Sequence, residues 1–183
     1  DKGIDDYLKL SKNFNQQNVT FFLAGDLDTG NPNSLTQEEL EIIKAESSLN
    51  YLGYVDLQKE LHNYDLLLSL SDHEGFSRVL LEAMYVGLFV VAYDNNGTKY
   101  IDNFENSILL NSKTQNNLKD TINNFLTEEK FISNENRKQI EKSYSTKKVA
   151  SQFANIYNKK EWKLNATKYL QYCNCLLYTS PSP

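Results

Sequence analysis

The chain is poor in cysteine, histidine and basic charge and has no long apolar run, and each shortage removes a class of function. Its only cysteines, Cys173 and Cys175, stand one residue apart near the C-terminal end. They are too close together to staple a fold and lack the further ligands of a zinc site. His62 and His73 are the only histidines, and Ser77 lies in no Gly-x-Ser-x-Gly elbow, so no Ser/His/Asp series is legible. Glycine occurs 7 times, never as Gly-x-Gly-x-x-Gly and never as a Walker loop, which takes away the usual marks of hydride transfer and of nucleoside triphosphate hydrolysis. A formal net charge of -5 and a pI near 5.1 speak against nucleic acid, whose phosphates call for a basic face. No run of about 18 apolar residues is present to span a bilayer as a helix. Asn-x-Ser/Thr matches at Asn18, Asn96 and Asn165 carry little weight in so asparagine-rich a chain with no secretory leader in view. The opening Asp1-Lys2-Gly3, without methionine, reads as cut from something longer.

What is present fits a globular domain: 183 residues, 40% hydrophobic, with room for one ordinary core. Ile4, Tyr7, Leu8 and Phe14 fall near helical spacing. Val19 to Ala24 is β-branched and aromatic and stops at Gly25-Asp26, which predicts a strand. After the breaker cluster Asp28–Leu35, Thr36-Gln37-Glu38-Glu39 matches a capping box and predicts a helix to about Ala45. A short strand at Leu49–Gly53, a short helix near Leu57–Asn63 and an apolar strand Leu66–Leu70 follow. The next helix should end at Gly87, a natural cap. Leu88 to Tyr93 is apolar at nearly every position, as in a strand covered on both faces. A brief helix from Thr98, a strand at Ser107–Leu110 and helices near Gln115–Thr127, Asn134–Ser143 and Lys147–Asn158 complete the series. This alternation predicts an α/β fold, a doubly wound parallel sheet of about five strands.

Two carboxylates in this series stand out. Glu74 would leave the end of a buried strand, and Glu82 would ride one to two turns into the following helix, so that both can face one crevice. In open α/β sheets, ligands collect at that end of the strands, where helix N–H groups attract phosphate and carboxylates accept sugar hydroxyls. The plain reading is two solvated acids, since acids favour helix starts. His73, beside Glu74, is a candidate pocket-lining residue; His62 reads as surface or packing.

The words around the pair carry a resemblance. Lys2-Gly3-Ile4-Asp5, Phe22-Leu23-Ala24-Gly25-Asp26, Leu52-Gly53-Tyr54-Val55 and Glu74-Gly75-Phe76 through Glu82-Ala83-Met84 occur in the order found in family 4 glycosyltransferases, retaining enzymes marked by Glu-x7-Glu. The loop from Gly25 to Ser34 resembles that of a capsular-polysaccharide subgroup, including enzymes that add N-acetylhexosamines to undecaprenyl-diphosphate-linked sugars. The resemblance implies a Rossmann-like sheet, the C-terminal half of a GT-B fold with its first strand truncated.

It also implies roles. Lys2 would meet the donor diphosphate. Glu74, the catalytic-site carboxylate, would accept donor-sugar hydroxyls, with backbone N–H groups of Phe76, Ser77, Arg78 and Val79 facing sugar and phosphate. Glu82 would hold the ribose, and Tyr54 and Val55 would flank the base; the plain alternative for Tyr54 is a core aromatic. No cofactor and no metal are implied beyond the nucleoside diphosphate sugar, expected to be a UDP-sugar.

Departures from the family's pattern are visible too. Leu70 and Phe89 stand where prolines are frequent and look like packing variants. Tyr100 replaces a frequent Glu and Ser107 a frequent Gly, which touches the pocket rim. An Arg expected just before Lys2-Gly3 is not in the sequence.

Residues 1–159 are therefore expected to form the nucleotide-sugar-binding domain of a two-domain enzyme, inactive alone. Residues 160–174 would form a helix crossing to the acceptor domain, and residues 175–183 read as a non-native, adapter-derived tail. Expected partners are the donor and a glycan or undecaprenyl-diphosphate-linked acceptor held by the missing N-terminal domain, with no nucleic acid. The whole enzyme is expected in the cytoplasm at the inner face of a bacterial membrane, peripherally attached. The alternatives are another GT-B enzyme, a phosphorylase or epimerase, a non-catalytic nucleotide-binding module, or a bare structural domain.

Overall fold

A computed structural model describes residues 2–14, 19–27, 34–111, 113–127 and 134–158. The expected crossing helix at 160–174 and the tail at 175–183 lie outside the described residues. The elements follow the expected order: α1 (Ile4–Asn13), β1 (Phe22–Ala24), α2 (Gln37–Lys44), β2 (Asn50–Gly53), α3 (Leu57–Glu60) running into a 3-10 turn (Leu61–Asn63), β3 (Leu66–Ser69), α4 (Arg78–Val86), β4 (Phe89–Tyr93), a 3-10 turn (Lys99–Asn103), β5 (Ser107–Leu110), α5 (Gln115–Thr127), α6 (Asn134–Tyr144) and α7 (Thr146–Asn158).

All strand pairs are parallel, but they form two ladders, β1 with β2 and β3 with β4 and β5. This corrects the expectation of one continuous sheet. Part of the reason lies on the edge of β1 that faces away from β2. There the Tyr7 hydroxyl accepts from Phe22 N at 3.2 Å and donates to Phe22 O at 2.7 Å, so a side chain from α1 meets backbone groups that a neighbouring strand would otherwise meet. The strand expected from Val19 shortens to Phe22–Ala24. Phe21 just before it is buried against the rings of Tyr7 and Phe14. The brief helix after Thr98 is a 3-10 turn.

Chain compactness divides the protein at residues 137 and 138. The first unit holds all five strands and one core, in which Leu10 of α1 and Phe14 at its C-cap meet Ile43 of α2, Val91 and Tyr93 of β4, and Leu118 and Ile122 of α5. Each such buried side chain contributes roughly 1.5–3 kcal/mol relative to exposure. β4 is buried at Val90 through Tyr93, the covering on both faces that its unbroken apolar run requires. Leu70 is buried and Phe89 packs its ring on Phe125 at 4.9 Å, so both departures from proline serve packing. The second unit contains, among the described residues, the remainder of α6 and α7.

Candidate functional site

The Glu74 loop leaves β3 and enters α4 under the grip of a second loop, Asn95–Thr98. Asn95 Nδ2 donates to Ser71 O at 3.0 Å, Gly97 N donates to Asn95 Oδ1 at 2.9 Å, and Ser77 N donates to Gly97 O at 3.3 Å. Gly97 lies so close to Glu74 that a Cβ there would sit 2.3 Å from the Glu74 carbonyl oxygen. Only glycine allows that approach.

Lys2 reaches the same carboxylate from the chain start. Gly3 caps α1 in the left-handed region, φ 73°, and a Cβ on it would come 2.1 Å from Leu70 O. Backbone conformation and close packing both demand glycine, and the result is to hold Lys2 over the end of β3. Lys2 Nζ then donates to Glu74 Oε1 at 2.8 Å, with side-chain exposures of 60% and 21%. Burial pushes the Glu74 carboxyl up, but the hydrogen bonds from Lys2 and Ser71 and the lysine charge outweigh it and leave the acid below its ordinary value. Glu74 is thus held ionised and suited to accept hydroxyl protons in hydrogen bonds rather than to donate one.

The start of α1 is itself docked on the sheet. Asp6 accepts from the Tyr93 hydroxyl at 2.8 Å and from Gln115 Nε2 at 3.2 Å. Burial, then the Asp6 carboxylate, pushes the Tyr93 phenol up. Asp72, two residues before Glu74, is ion-paired with Lys113, whose Nζ lies 5.5 Å from the Tyr93 ring centroid.

Glu82 occupies the fifth position of α4, about one turn from its start. Leu80, Leu81, Ala83 and Met84 turn into the core, which leaves Glu82 exposed; it makes no ion pair among the described residues. Ser77 caps the helix without a side-chain bond, so the N–H groups of the first turn are not taken up by a cap. Gly87 closes α4 at φ 94°, as expected. Arg78 is exposed and Val79 half-buried. Phe76 is half exposed and stacks on Tyr100 with ring centroids 4.8 Å apart. Tyr54 is 85% exposed, which rules out the core-aromatic alternative; Val55 is half-buried beside it. His62 and His73 are both exposed.

A groove of about 530 Å³ opens beside Lys2, bordered by Asp5, Gly25, Asp26, Leu35, Tyr51 and Asp72. The structure thus brings Lys2, Gly3 and the Gly25-Asp26 strand end to one hollow and pairs Lys2 with Glu74, whereas Glu74 itself, the turn from Phe76 to Val79, Tyr54, Val55 and Glu82 lie outside its lining. Tyr51 and Lys113 were not singled out as site residues from the sequence, and Tyr100 was noted only as a departure at the pocket rim. Tyr51 could have been, since it opens the same Tyr-Leu-Gly-Tyr string; nothing local marks Lys113. Among the described residues no three His, Cys, Asp or Glu side chains gather as a metal site.

Known proteins share this fold. The fold superimposes on HepE of Anabaena, solved with UDP and glucose, with a TM-score of 0.70 at 22% identity over 84% of this chain and 44% of that one. It matches TarM of S. aureus with a TM-score of 0.68 at 26% identity over 86% of this chain and 33% of that one. In sequence it is 30% identical over 138 residues to the GtfA subunit of a UDP-N-acetylglucosamine–peptide N-acetylglucosaminyltransferase from Limosilactobacillus reuteri, which covers 69% of this chain and 27% of that protein. The chain therefore spans about a quarter of that relative's length. The α/β architecture is Rossmann-like, with parallel strands as in GT-B glycosyltransferases. Residues 1–146, well over half of the chain, match the family described as glycosyl transferases group 1, and the chain belongs to that family.

Proposed function

We propose that the chain is the donor-binding part of a retaining glycosyltransferase that moves a sugar, an N-acetylhexosamine, from a UDP-sugar to an acceptor. The observation that carries this is the Lys2–Glu74 pair at 2.8 Å, placed at the C-terminal end of β3 and before the N-terminus of α4. Relatives support the donor: HepE was solved with UDP and glucose, and GtfA is a subunit of a UDP-N-acetylglucosamine–peptide N-acetylglucosaminyltransferase. In this reading Lys2, largely exposed, turns to the diphosphate and offsets charge that grows on the leaving group. Glu74 accepts donor-sugar hydroxyls, and N–H groups from Phe76 to Val79 face sugar and phosphate. Glu82 holds the ribose, and Tyr54 and Val55 flank the base. No metal or other cofactor takes part.

For the acceptor, the resemblance to the capsular subgroup supports a glycan or an undecaprenyl-diphosphate-linked sugar in bacterial surface polysaccharide synthesis, at the cytoplasmic membrane face. The relationship to GtfA favours a second reading, a peptide hydroxyl, with the same donor. Acceptor contacts belong to the rest of a longer enzyme.

Titration calorimetry with UDP, on the chain and on Glu82→Ala, tests the site. Binding by the first and clear loss in the second is expected; no binding by the unaltered chain, or equal binding by both, defeats the assignment. Chelation with EDTA should leave binding unchanged.

A further inference from the structure

We infer that Tyr100 is a positioning residue of this site, which aims the first N–H groups of α4 at the terminal phosphate of the donor; this rests on the nucleotide-sugar reading above. Two separate contacts join Tyr100 to the Glu74 loop. Its ring stacks on Phe76, 29° from parallel, and its hydroxyl donates to the Ser77 carbonyl at 2.5 Å. Behind it, the ring of the buried Phe104 meets it edge-on at 6.4 Å, so the phenol is backed by the core.

The consequence runs through a single peptide plane. In a trans peptide the Ser77 carbonyl and the Arg78 N–H point in opposite directions. A donor fixed on the carbonyl therefore fixes the direction of the N–H, and it polarises that N–H into a stronger donor. Ser77 supplies no side-chain cap, so the N–H groups of this turn are left for a ligand, and an anion is what a helix start attracts.

UDP and UMP differ by the terminal phosphate, which is the group that would meet α4, and calorimetry with both separates positioning from general support. Tyr100→Phe keeps the ring stack and removes the donor. It should weaken UDP by about 3–10-fold, the worth of one hydrogen bond, while the UMP affinity stays put; Tyr100→Ala should weaken UDP further. Equal losses for the two nucleotides in Tyr100→Phe, or none, overturn the inference. On the unaltered chain, UDP should move the Arg78 amide resonance more than UMP does, and equal movements also overturn it. Failure of the unaltered chain to bind UDP would instead bring down the functional reading itself, together with this one.

Discussion

At the scale of single residues, the site depends on two glycines as much as on its charges. Lys2 meets Glu74 from a chain start that Gly3 packs against Leu70 with φ 73°. Gly3→Ala keeps both charged groups, yet it should cost about 1–2 kcal/mol from the left-handed backbone alone, and more from the collision with Leu70. UDP affinity should fall as far as in Lys2→Ala; retention of wild-type affinity in Gly3→Ala would show that Lys2 needs no such support. The ion pair also predicts a pH profile. The Glu74 carboxyl lies below its ordinary value, so its contribution to stability is complete above that value and fades as pH falls through the lowered one. Melting curves of wild type and Lys2→Ala should therefore differ at neutral pH and converge in acid. The sequence shows Lys2-Gly3 as a motif, but not why glycine is needed. The reason is Leu70, on another element.

At the scale of elements, what depends on neighbours in sequence is legible and what depends on distant partners is not. The capping box of α2 is present with both bonds: Glu39 N donates to Thr36 Oγ1 at 3.2 Å and Thr36 N donates to Glu39 Oε2 at 2.8 Å. The Thr36 backbone N–H, and after it the Thr36 hydroxyl, which donates to the same Glu39 Oε2 at 2.9 Å, hold the Glu39 carboxyl below its usual range. Thr36→Ala should lower stability by about 0.5–2 kcal/mol, read as a shifted urea midpoint at constant slope. Gly87 and the apolar run of β4 were equally plain. The length of β1 was not, because Val19 to Phe21 has strand propensity while Phe21 is committed to packing on Phe14 and Tyr7. Neither was the Tyr100 contact with Phe76 and Ser77, which is made across 23 residues.

At the scale of the whole molecule, the division of the strands into two ladders is the feature that periodicity did not foretell. Alternating strands and helices argue for a parallel arrangement but do not say which edges pair. Tyr7, the residue on the β1 edge, gives this a measurable side. Burial, opposed by the Phe22 backbone bond and aided by Tyr64, raises its phenol to about 12. A raised value means that stability is complete below the ordinary tyrosine value of 10.0 and is lost as pH climbs through about 12. Tyr7→Phe should lower stability at neutral pH and flatten this alkaline decline; equal alkaline slopes in the two proteins would contradict it. For function, the chain by itself should bind UDP without transferring sugar, and robust transfer by these 183 residues would refute the assignment of acceptor contacts elsewhere.

The Lys2–Glu74 contact joins positions 72 residues apart, which has a bearing on the order in which the protein is made and folds. α1 emerges from the ribosome long before β3, and closing so long a loop carries an entropic cost that local helices do not meet. Lys2 must therefore wait until the Leu70 shelf exists. The Lys2–Glu74 pair is in this sense a late product of folding, and a chain stalled before Glu74 holds the cation without the place to put it.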